Sequence, residues 1–234
     1  MKFVGSKNKY TKEILPIILE KRLKENYYVE PFVGGFNTID KVSGLRIAND
    51  INPYLTALFR AIQKNWIPPD TITEEEYKDI QKNKENFPEE LVGFVGFGCS
   101  YSGKFFGGYA RGSQNNGCPR NYCLESKKNI LKQAPLIKDI EIHTGNYYDL
   151  FIPDNSIVYC DPPYENTTKY TFGNIDYSFF WDWVREISKK NVVYVSEYKA
   201  PKDFKSVWKK TVNNSLDKNT GSKKGEENLF TLNL

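Results

Sequence analysis

Residues 26–35 read Asn-Tyr-Tyr-Val-Glu-Pro-Phe-Val-Gly-Gly, a strand pattern that ends in two adjacent glycines. Paired glycines directly after a strand predict a tight turn at which the backbone can approach a ligand. A second strand is expected from Leu45 to Asn49, and Asp50 follows it. Open α/β sheets hold nucleosides by such a turn and such an acid, because the carboxylate accepts hydrogen bonds from the ribose hydroxyls. This order predicts the opening half of a nucleotide-binding α/β sheet.

Further strand and helix patterns follow along the chain. A short helix is expected over 37–43, and residues 53–66 form an amphipathic helix pattern that Asn52 is placed to cap. The later expected elements are strands at 140–144, 157–160 and 192–196, a helix at 177–190, and a hairpin of 205–212 with 229–234, with 217–228 as a polar, mobile loop.

The middle of the chain differs in composition from both ends. Residues 68–90 hold eight acids against three lysines, which predicts a solvated helical segment. Residues 93–117 contain eight of the chain's 16 glycines, interleaved with aromatic residues, a pattern typical of loops. Residues 98–135 then carry six basic residues and one acid. The expected organisation is an inserted helical and loop module at 67–135, within a catalytic domain made of 1–66 and 136–234.

Composition limits the class of protein. The 234 residues are 39% hydrophobic and 15% aromatic, so the chain can build a sizeable core and is not intrinsically disordered. No apolar run approaches the roughly 18 residues that cross a bilayer, so a cytoplasmic location is expected by default. The net charge of +4 permits a nucleic-acid partner without requiring one.

Histidine and cysteine are sparse. His143 is the single histidine, which excludes every mechanism that needs two imidazoles. Of the four cysteines, Cys118 and Cys123 come nearest to a metal spacing, but they have no second pair and no histidine beside them. We therefore expect no metal, and free thiols in a reducing compartment.

The most specific motif is Asp161-Pro162-Pro163-Tyr164, which follows the apolar strand 157–160. Two consecutive prolines remove two backbone donors and hold the chain in an extended bend. The carboxylate before them and the ring after them are then expected to face one pocket. A carboxylate and a neighbouring carbonyl can accept both hydrogens of an exocyclic amine, while the Tyr164 ring stacks on the base that bears it.

With this motif the sequence resembles the Dam-type (D12 class, alpha group) DNA adenine-N6 methyltransferases. The matching segments are Phe3-Val4-Gly5-Ser6-Lys7, the turn at 30–34, the acid segment 49–52, Gly145-Asn146-Tyr147 and the tetrapeptide 161–164. An insertion between the cofactor and catalytic motifs is the order of the alpha group. The resemblance implies an α/β fold with a seven-stranded mixed sheet, the Rossmann-like fold of methyltransferases that use S-adenosylmethionine. It also implies that the module at 67–135 recognises the DNA target.

The resemblance implies roles residue by residue. The catalytic residues would be Asp161, Pro162 and Tyr164, and the target adenine would be flipped out of the duplex against Tyr164. The residues that would contact the cofactor S-adenosylmethionine are Phe3, Lys7, Glu30, Phe32, Gly34, Asp50, Tyr147 and Asp161. Within the insertion, the basic residues expected to meet DNA phosphates are Lys104, Arg111, Arg120, Lys127 and Lys128.

Two positions depart from the family pattern. Phe36 stands where the family usually has a small residue, so the turn is expected either to sit differently or to press on the methionine end of the cofactor. Ser6 replaces the usual second glycine before Lys7.

Two other functions stay open on sequence grounds. A methyltransferase acting on another exocyclic amine, in ribosomal RNA or at cytosine-N4, would share most motifs. Cytosine-N4 enzymes more often carry serine in place of Asp161, and ribosomal RNA enzymes of this size usually lack so large an insertion. A non-catalytic module that only binds nucleic acid is disfavoured by the intact tetrapeptide. Double-stranded DNA is the expected partner, with no membrane and no obligatory protein subunit.

Overall fold

One sheet with helices on both faces organises the molecule. A computed structural model describes residues 1–113, 117–165, 172, 175–213 and 224–232. The strands are β1 (Tyr28–Glu30), β2 (Arg46–Asp50), β3 (Glu141–Thr144), β4 (Ile157–Cys160), β5 (Val192–Glu197), β6 (Phe204–Asn213) and β7 (Lys224–Leu232). The α-helices are α1 (Thr11–Ile18), α2 (Pro53–Gln63), α3 (Glu74–Lys82), α4 (Glu89–Gly98), α5 (Tyr122–Ile137) and α6 (Tyr177–Ser188). Among these described residues, no helix combines the length and apolar character that crossing a bilayer requires.

The described strands form one mixed sheet in the order β3-β2-β1-β4-β5-β7-β6. The strands from β1 to β5 pair in parallel, and β7 lies antiparallel between β5 and β6. The chain order reverses between the neighbours β1 and β4. A crevice therefore opens at the carboxyl ends of these two strands, where open α/β sheets bind their ligands. The seven strands and their mixed pairing agree with the seven-stranded, Rossmann-like α/β fold that the resemblance implies.

Burial on both faces of the central strands produces a three-layer molecule. Tyr159 of β4 packs into the core beneath α1, α2, α4 and α5, whereas its neighbours Val158 and Cys160 pack into a second core beneath α6. Because successive side chains of a strand point to opposite faces, an apolar strand such as β4 can fill both cores at once.

Helix α2 begins as its sequence predicts. The side-chain oxygen of Asn52 accepts hydrogen bonds from the backbone N–H groups of Tyr54 and Leu55, at 3.1 and 3.3 Å, and Pro53 occupies the first turn. The cap satisfies two donors that have no partner within the helix, and the fixed φ of proline suits this position. As a result, Asp50 and the start of α2 are held at one edge of the crevice.

The inserted segment is helical where the sequence indicates loops. Residues 93–98 belong to α4 rather than to a loop, so that expectation is wrong at these positions. Gly93 is needed for packing, because a Cβ there would lie 2.1 Å from the backbone oxygen of Tyr54 in α2. Helix α4 therefore lies in the same core as α2. The assignment of 67–135 to a separate target-recognition module stays a prediction.

The final hairpin is longer than its sequence pattern suggests. Residues 224–228 belong to β7, so the expected loop over 217–228 is wrong in this part, while 217–223 and 233–234 lie outside the described residues. The pattern is hard to detect because this half of the strand is polar. Its pairing with β6 and β5 supplies the backbone hydrogen bonds that define the strand.

Candidate active site

Three of the predicted functional segments meet at one edge of the sheet. Asp50 ends β2, the turn around Gly34 follows β1, and Asp161 follows β4. These strands are adjacent in the sheet and parallel, so their carboxyl ends lie side by side. The sheet topology therefore brings Gly34, Asp50 and Asp161 to one crevice, although they lie far apart in the sequence.

The turn after β1 is built around Gly34. Its N–H donates to Oδ2 of Asp50 at 3.1 Å, while Oδ1 of Asp50 accepts from the N–H of Asn52 at 2.9 Å. Gly34 has a φ of +51°, and a Cβ there would lie 2.8 Å from the ring of Phe3. Glycine is required here both for the left-handed backbone and for the close approach of Phe3.

Asp50 keeps acceptor capacity after making these two bonds, because a carboxylate offers about four lone-pair positions. Burial raises the pKa of the Asp50 carboxyl to about 6, against the opposing effect of the two N–H donors from Asn52 and Gly34. The group is therefore mainly ionised at neutral pH, as an acceptor of ribose hydroxyls needs to be.

The ring of Phe36 is packed in the core. Its side chain is fully buried and stacks on Phe59 of α2, with the ring centroids 3.9 Å apart, although the backbone φ of Phe36 is +58°. The fold thus accommodates this departure from the family pattern against α2. Ser6, the other departure, accepts a hydrogen bond from the N–H of Asn8 and caps a short 3-10 helix.

Lys7 and Asp161 form the centre of an almost buried cluster. Nζ of Lys7 is 2.8 Å from Oδ1 of Asp161, 3.4 Å from Oε1 of Glu227, and 3.3 Å from the carbonyl oxygen of Gly5. The same Nζ is 4.6 Å from the centroid of the Tyr164 ring. The N-terminal motif and the tetrapeptide 161–164 therefore meet in space.

Two opposing influences set the ionisation of Asp161. Burial raises the pKa of the Asp161 carboxyl to about 6, and the charge of Glu227 adds to that increase. The ammonium group of Lys7 acts in the opposite direction. Asp161 is consequently ionised at neutral pH, and it gains a proton as the pH falls through about 6.

The rest of the tetrapeptide is held by aromatic and polar contacts. The Tyr164 hydroxyl donates to Oε1 of Glu227, and its ring packs edge-on against Tyr198 with the centroids 4.6 Å apart. The hydroxyl of Tyr177 donates to the carbonyl of Pro163, and Pro162 is buried. These contacts give the bend at Pro162 and Pro163 a defined position.

The remaining cofactor candidates divide into two groups. The Glu30 carboxyl is buried and accepts a hydrogen bond from the Tyr28 hydroxyl at 2.8 Å. Burial raises the pKa of Glu30 well above its usual range. Phe32 and Tyr147 pack together, with ring centroids 5.0 Å apart, in the core beneath α6. The roles of these residues toward a cofactor stay predictions.

The five basic residues predicted to meet DNA are not equivalent. Arg111 pairs with Glu74 at 2.5 Å, and Lys127 pairs with Asp70 at 2.8 Å. Arg120 contacts both carboxylate oxygens of an acid in α5, Glu125. In contrast, two of the five are exposed and form no ion pair within the part of the chain that the structure describes: Lys104 and Lys128.

Lys104 lies next to a contact between the insertion and the N-terminal segment. The N–H of Val4 donates to the carbonyl of Gly103 at 3.3 Å, and this segment carries Lys7. One of the residues predicted to meet DNA therefore directly follows a residue that contacts the N-terminal segment.

Two carboxylates at the site are not indicated by any motif. Glu227 of β7 contacts Lys7 and Tyr164, while the carboxylate of Glu197, at the end of β5, accepts hydrogen bonds from the backbone N–H groups of residues 198 and 165. Burial raises the pKa of Glu197 to about 7. An acid after an apolar strand was the available signal for Glu197, whereas Glu227 lies in a segment whose composition predicts a loop.

Comparisons with known proteins agree with the motifs. Residues 3–95 match the model of the D12 class N6 adenine-specific DNA methyltransferases. The type II methyltransferase M.FokI of Planomicrobium okeanokoites is 26% identical over 212 residues, covering 79% of this chain and 31% of that protein. The chain thus spans about a third of the length of this relative.

A solved structure, that of SMU.472 complexed with SAH, is similar with a TM-score of 0.40 and 10% identity, over 97% of this chain and 52% of that one.

The family match begins at Phe3 and includes the turn at Gly34 and the acid Asp50. Over residues 3–95 the chain is thus similar to the D12 class N6 adenine-specific DNA methyltransferases, the family that its motifs resemble.

Proposed function

We propose that this chain transfers a methyl group from S-adenosylmethionine to the N6 amino group of an adenine flipped out of duplex DNA. The observation that carries the proposal is the position of Asp161 and Tyr164 in the same crevice as the turn formed by Gly34 and Asp50. An acceptor for an amine and an acceptor for ribose hydroxyls thus lie at the carboxyl ends of β4 and β2, the two parallel strands that flank β1.

The residues present fit the cofactor. Gly34 provides a turn without a Cβ, and Asp50 offers further acceptor positions for the ribose hydroxyls. Phe3 packs against this turn, and the paired rings of Phe32 and Tyr147 are the aromatic groups that we assign to the cofactor's adenine ring. When bound, S-adenosylmethionine supplies an electrophilic methyl group on a sulfonium ion.

Asp161 and Pro162 act on the amine. The amino nitrogen of adenine is a weak nucleophile because its lone pair is delocalised into the ring. Hydrogen bonds from the amine to the Asp161 carboxylate and the Pro162 carbonyl favour a tetrahedral nitrogen with an available lone pair. Positioning of this nitrogen in line with the methyl group supplies much of the acceleration. The carboxylate can also accept the proton that the amine loses.

Tyr164 provides the surface on which the flipped base stacks. Extrusion of a base from the duplex costs a few kcal/mol, which stacking and hydrogen bonding in the pocket offset. The Tyr164 ring is held from one side by Tyr198 and through its hydroxyl by Glu227. A ring held in this way gives up little further freedom when a base binds.

The test is to incubate the protein with S-adenosylmethionine and unmethylated mixed-sequence duplex DNA, then to digest the DNA and analyse the nucleosides by mass spectrometry. We expect deoxyadenosine methylated on its exocyclic nitrogen, at positions that define a recognition sequence. Cytosine methylated on its N4 nitrogen would contradict the proposed substrate. So would methylation that occurs only when ribosomal RNA replaces the DNA. Cofactor binding without any product, even when a partner protein is added, would favour a non-catalytic module.

A second prediction concerns DNA binding by the insertion. Lys104→Ala combined with Lys128→Ala is expected to weaken DNA binding uniformly across sequences. Removal of each phosphate contact should reduce the slope of log Kd against log salt by about 0.9, so the pair should reduce it by roughly 2. Titration of labelled duplex at several salt concentrations measures this slope.

The matched control is Lys189→Ala combined with Lys190→Ala, which removes two exposed lysines after α6, on the other face of the sheet. It changes the net charge by the same amount and should leave the slope unchanged. If the variant of Lys104 and Lys128 also keeps the original slope, these two residues do not belong to the DNA interface.

A further inference from the structure

Glu227 is an acid on the buried side of a strand. Its side chain is 8% exposed, whereas the side chain of its neighbour Glu226 is 53% exposed and its carboxylate lies 3.9 Å from Nζ of Lys209. Because successive residues of a strand point to opposite faces, β7 directs Glu227 toward the candidate site and Glu226 to solvent. Burial of a carboxylate costs free energy unless the group is paired. The contacts of Glu227 show how this carboxylate is paired.

The contacts of Glu227 join two parts of the site. Its Oε1 accepts the hydrogen bond of the Tyr164 hydroxyl and lies 3.4 Å from Nζ of Lys7. Lys7 in turn contacts Asp161. The carboxylate of Glu227 therefore links Lys7 of the N-terminal segment to Tyr164, and Lys7 links it to Asp161 at the end of β4.

Three acceptors match the three N–H donors of Lys7. Its ammonium nitrogen contacts the carboxylates of Asp161 and Glu227 and the carbonyl of Gly5. Two carboxylates thus share a single cation. Without Glu227, Lys7 would act on Asp161 alone and would favour its ionised form more strongly.

We propose that Glu227 is a positioning residue for methyl transfer: it holds the Tyr164 ring in the stacking position through the tyrosine hydroxyl, and it divides the charge of Lys7 between itself and Asp161. The proposal rests on the proposed function, since it assigns Glu227 to that same site. Glu227 does not need to touch the reacting atoms.

The charged and titratable surroundings of Asp161 determine what a pH measurement reports. Lys7 lies on one side, Glu227 on another, and Asp161 directly follows Cys160. The other titratable groups that interact with Asp161 are Glu30, Tyr159, Tyr164 and Glu197. The substitution Glu227→Gln removes none of these groups.

The first test is Glu227→Gln, which keeps an acceptor for the Tyr164 hydroxyl but removes the negative charge. The ionised form of Asp161 accepts from the amine, so the methyl-transfer rate should fall as the pH drops through about 6, where this carboxyl gains its proton. Removal of the charge at Glu227 should lower the pKa of Asp161. The acidic limb of the pH–rate profile should therefore move to lower pH, by about half a pH unit or more.

The matched control is Glu226→Gln, which makes the same change on the other face of β7 and should leave the acidic limb in place. If the limb of Glu227→Gln also stays where it is in the unmodified protein, with the fold intact, Glu227 does not divide the charge of Lys7 with Asp161, and this half of the proposal is overturned.

Carboxylate ¹³C NMR measures the pKa of Asp161 without any measurement of methyl transfer. The Asp161 resonance should titrate at lower pH in Glu227→Gln than in the unmodified protein. If the unmodified protein methylates no nucleic acid, the proposed function fails, while the NMR titration still decides whether Glu227 acts on Asp161.

The second test concerns Tyr164. Glu227→Ala should raise KM for DNA and weaken the fluorescence response of a duplex with 2-aminopurine at the target adenine. Tyr164→Phe removes the hydroxyl through which Glu227 acts, so adding Glu227→Ala to it should weaken this response little further. Fully additive effects would show that Glu227 does not act through Tyr164, and would overturn this half of the proposal.

Discussion

Asp161→Ala is expected to slow methyl transfer by at least about 10²–10³-fold, the usual effect of removing one preorganised electrostatic contact to a transition state. In the proposed reaction this carboxylate is the acceptor that favours a nucleophilic amine. The neighbouring carboxylate of Glu227 does not replace it, because Lys7 and Tyr164 occupy that group. DNA binding should persist, since phosphate contacts supply most of that affinity. Single-turnover transfer of a labelled methyl group measures the rate, and fluorescence anisotropy measures binding.

The control is Asp154→Ala, before the opposite end of β4. Asp154 is exposed and 3.1 Å from Lys190, so the substitution removes an acid of the same type without reaching the crevice. Its rate should match that of the unmodified protein. Near-normal turnover in Asp161→Ala would remove Asp161 from its assigned role.

Gly93→Ala is expected to destabilise the fold by about 3 kcal/mol, the upper part of the range for overpacked cores. The new Cβ would lie 2.1 Å from the backbone oxygen of Tyr54 and 3.1 Å from Cβ of Leu58, so α4 and α2 must move apart. The Tm of a chain of this size falls by roughly 2–4 °C for each kcal/mol. Thermal unfolding followed by circular dichroism measures this decrease.

Gly98→Ala is the matched substitution in the same helix. The nearest atom to its new Cβ is the Cβ of Ser126, at 3.1 Å, rather than a backbone oxygen. Alanine is also the better helix former by up to about 1 kcal/mol, so the net effect should be small. Equal decreases in Tm for the two variants would show that the approach of Gly93 to Tyr54 does not limit the packing of α2 and α4.

Much of the fold could be predicted because its signals are local. Paired glycines at 34 and 35, the cap at Asn52 and the apolar run before Asp161 each reflect a backbone or burial requirement that acts within a few residues. The order of these signals then predicts which strand ends share a crevice. The family match over residues 3–95 agrees with that part.

The helical state of 93–98 illustrates what local signals miss. Glycine disfavours an isolated helix, so its density there predicts loops. In the folded protein one of these glycines, Gly93, allows α4 to contact the backbone of α2, and burial of the apolar side chains of α4 outweighs the propensity.

The contacts of the candidate site depend on the folded chain. The turn after β1 and the tetrapeptide could be recognised in the sequence, because each depends on neighbours along the chain. The pairing of Lys7 with Asp161 and the addition of Glu227 to this pair became visible only in three dimensions. The same holds for Arg111 and Lys127, which acids of the insertion hold in ion pairs. No periodicity or spacing encodes such contacts, because burial and charge at a site depend on every segment that packs around it.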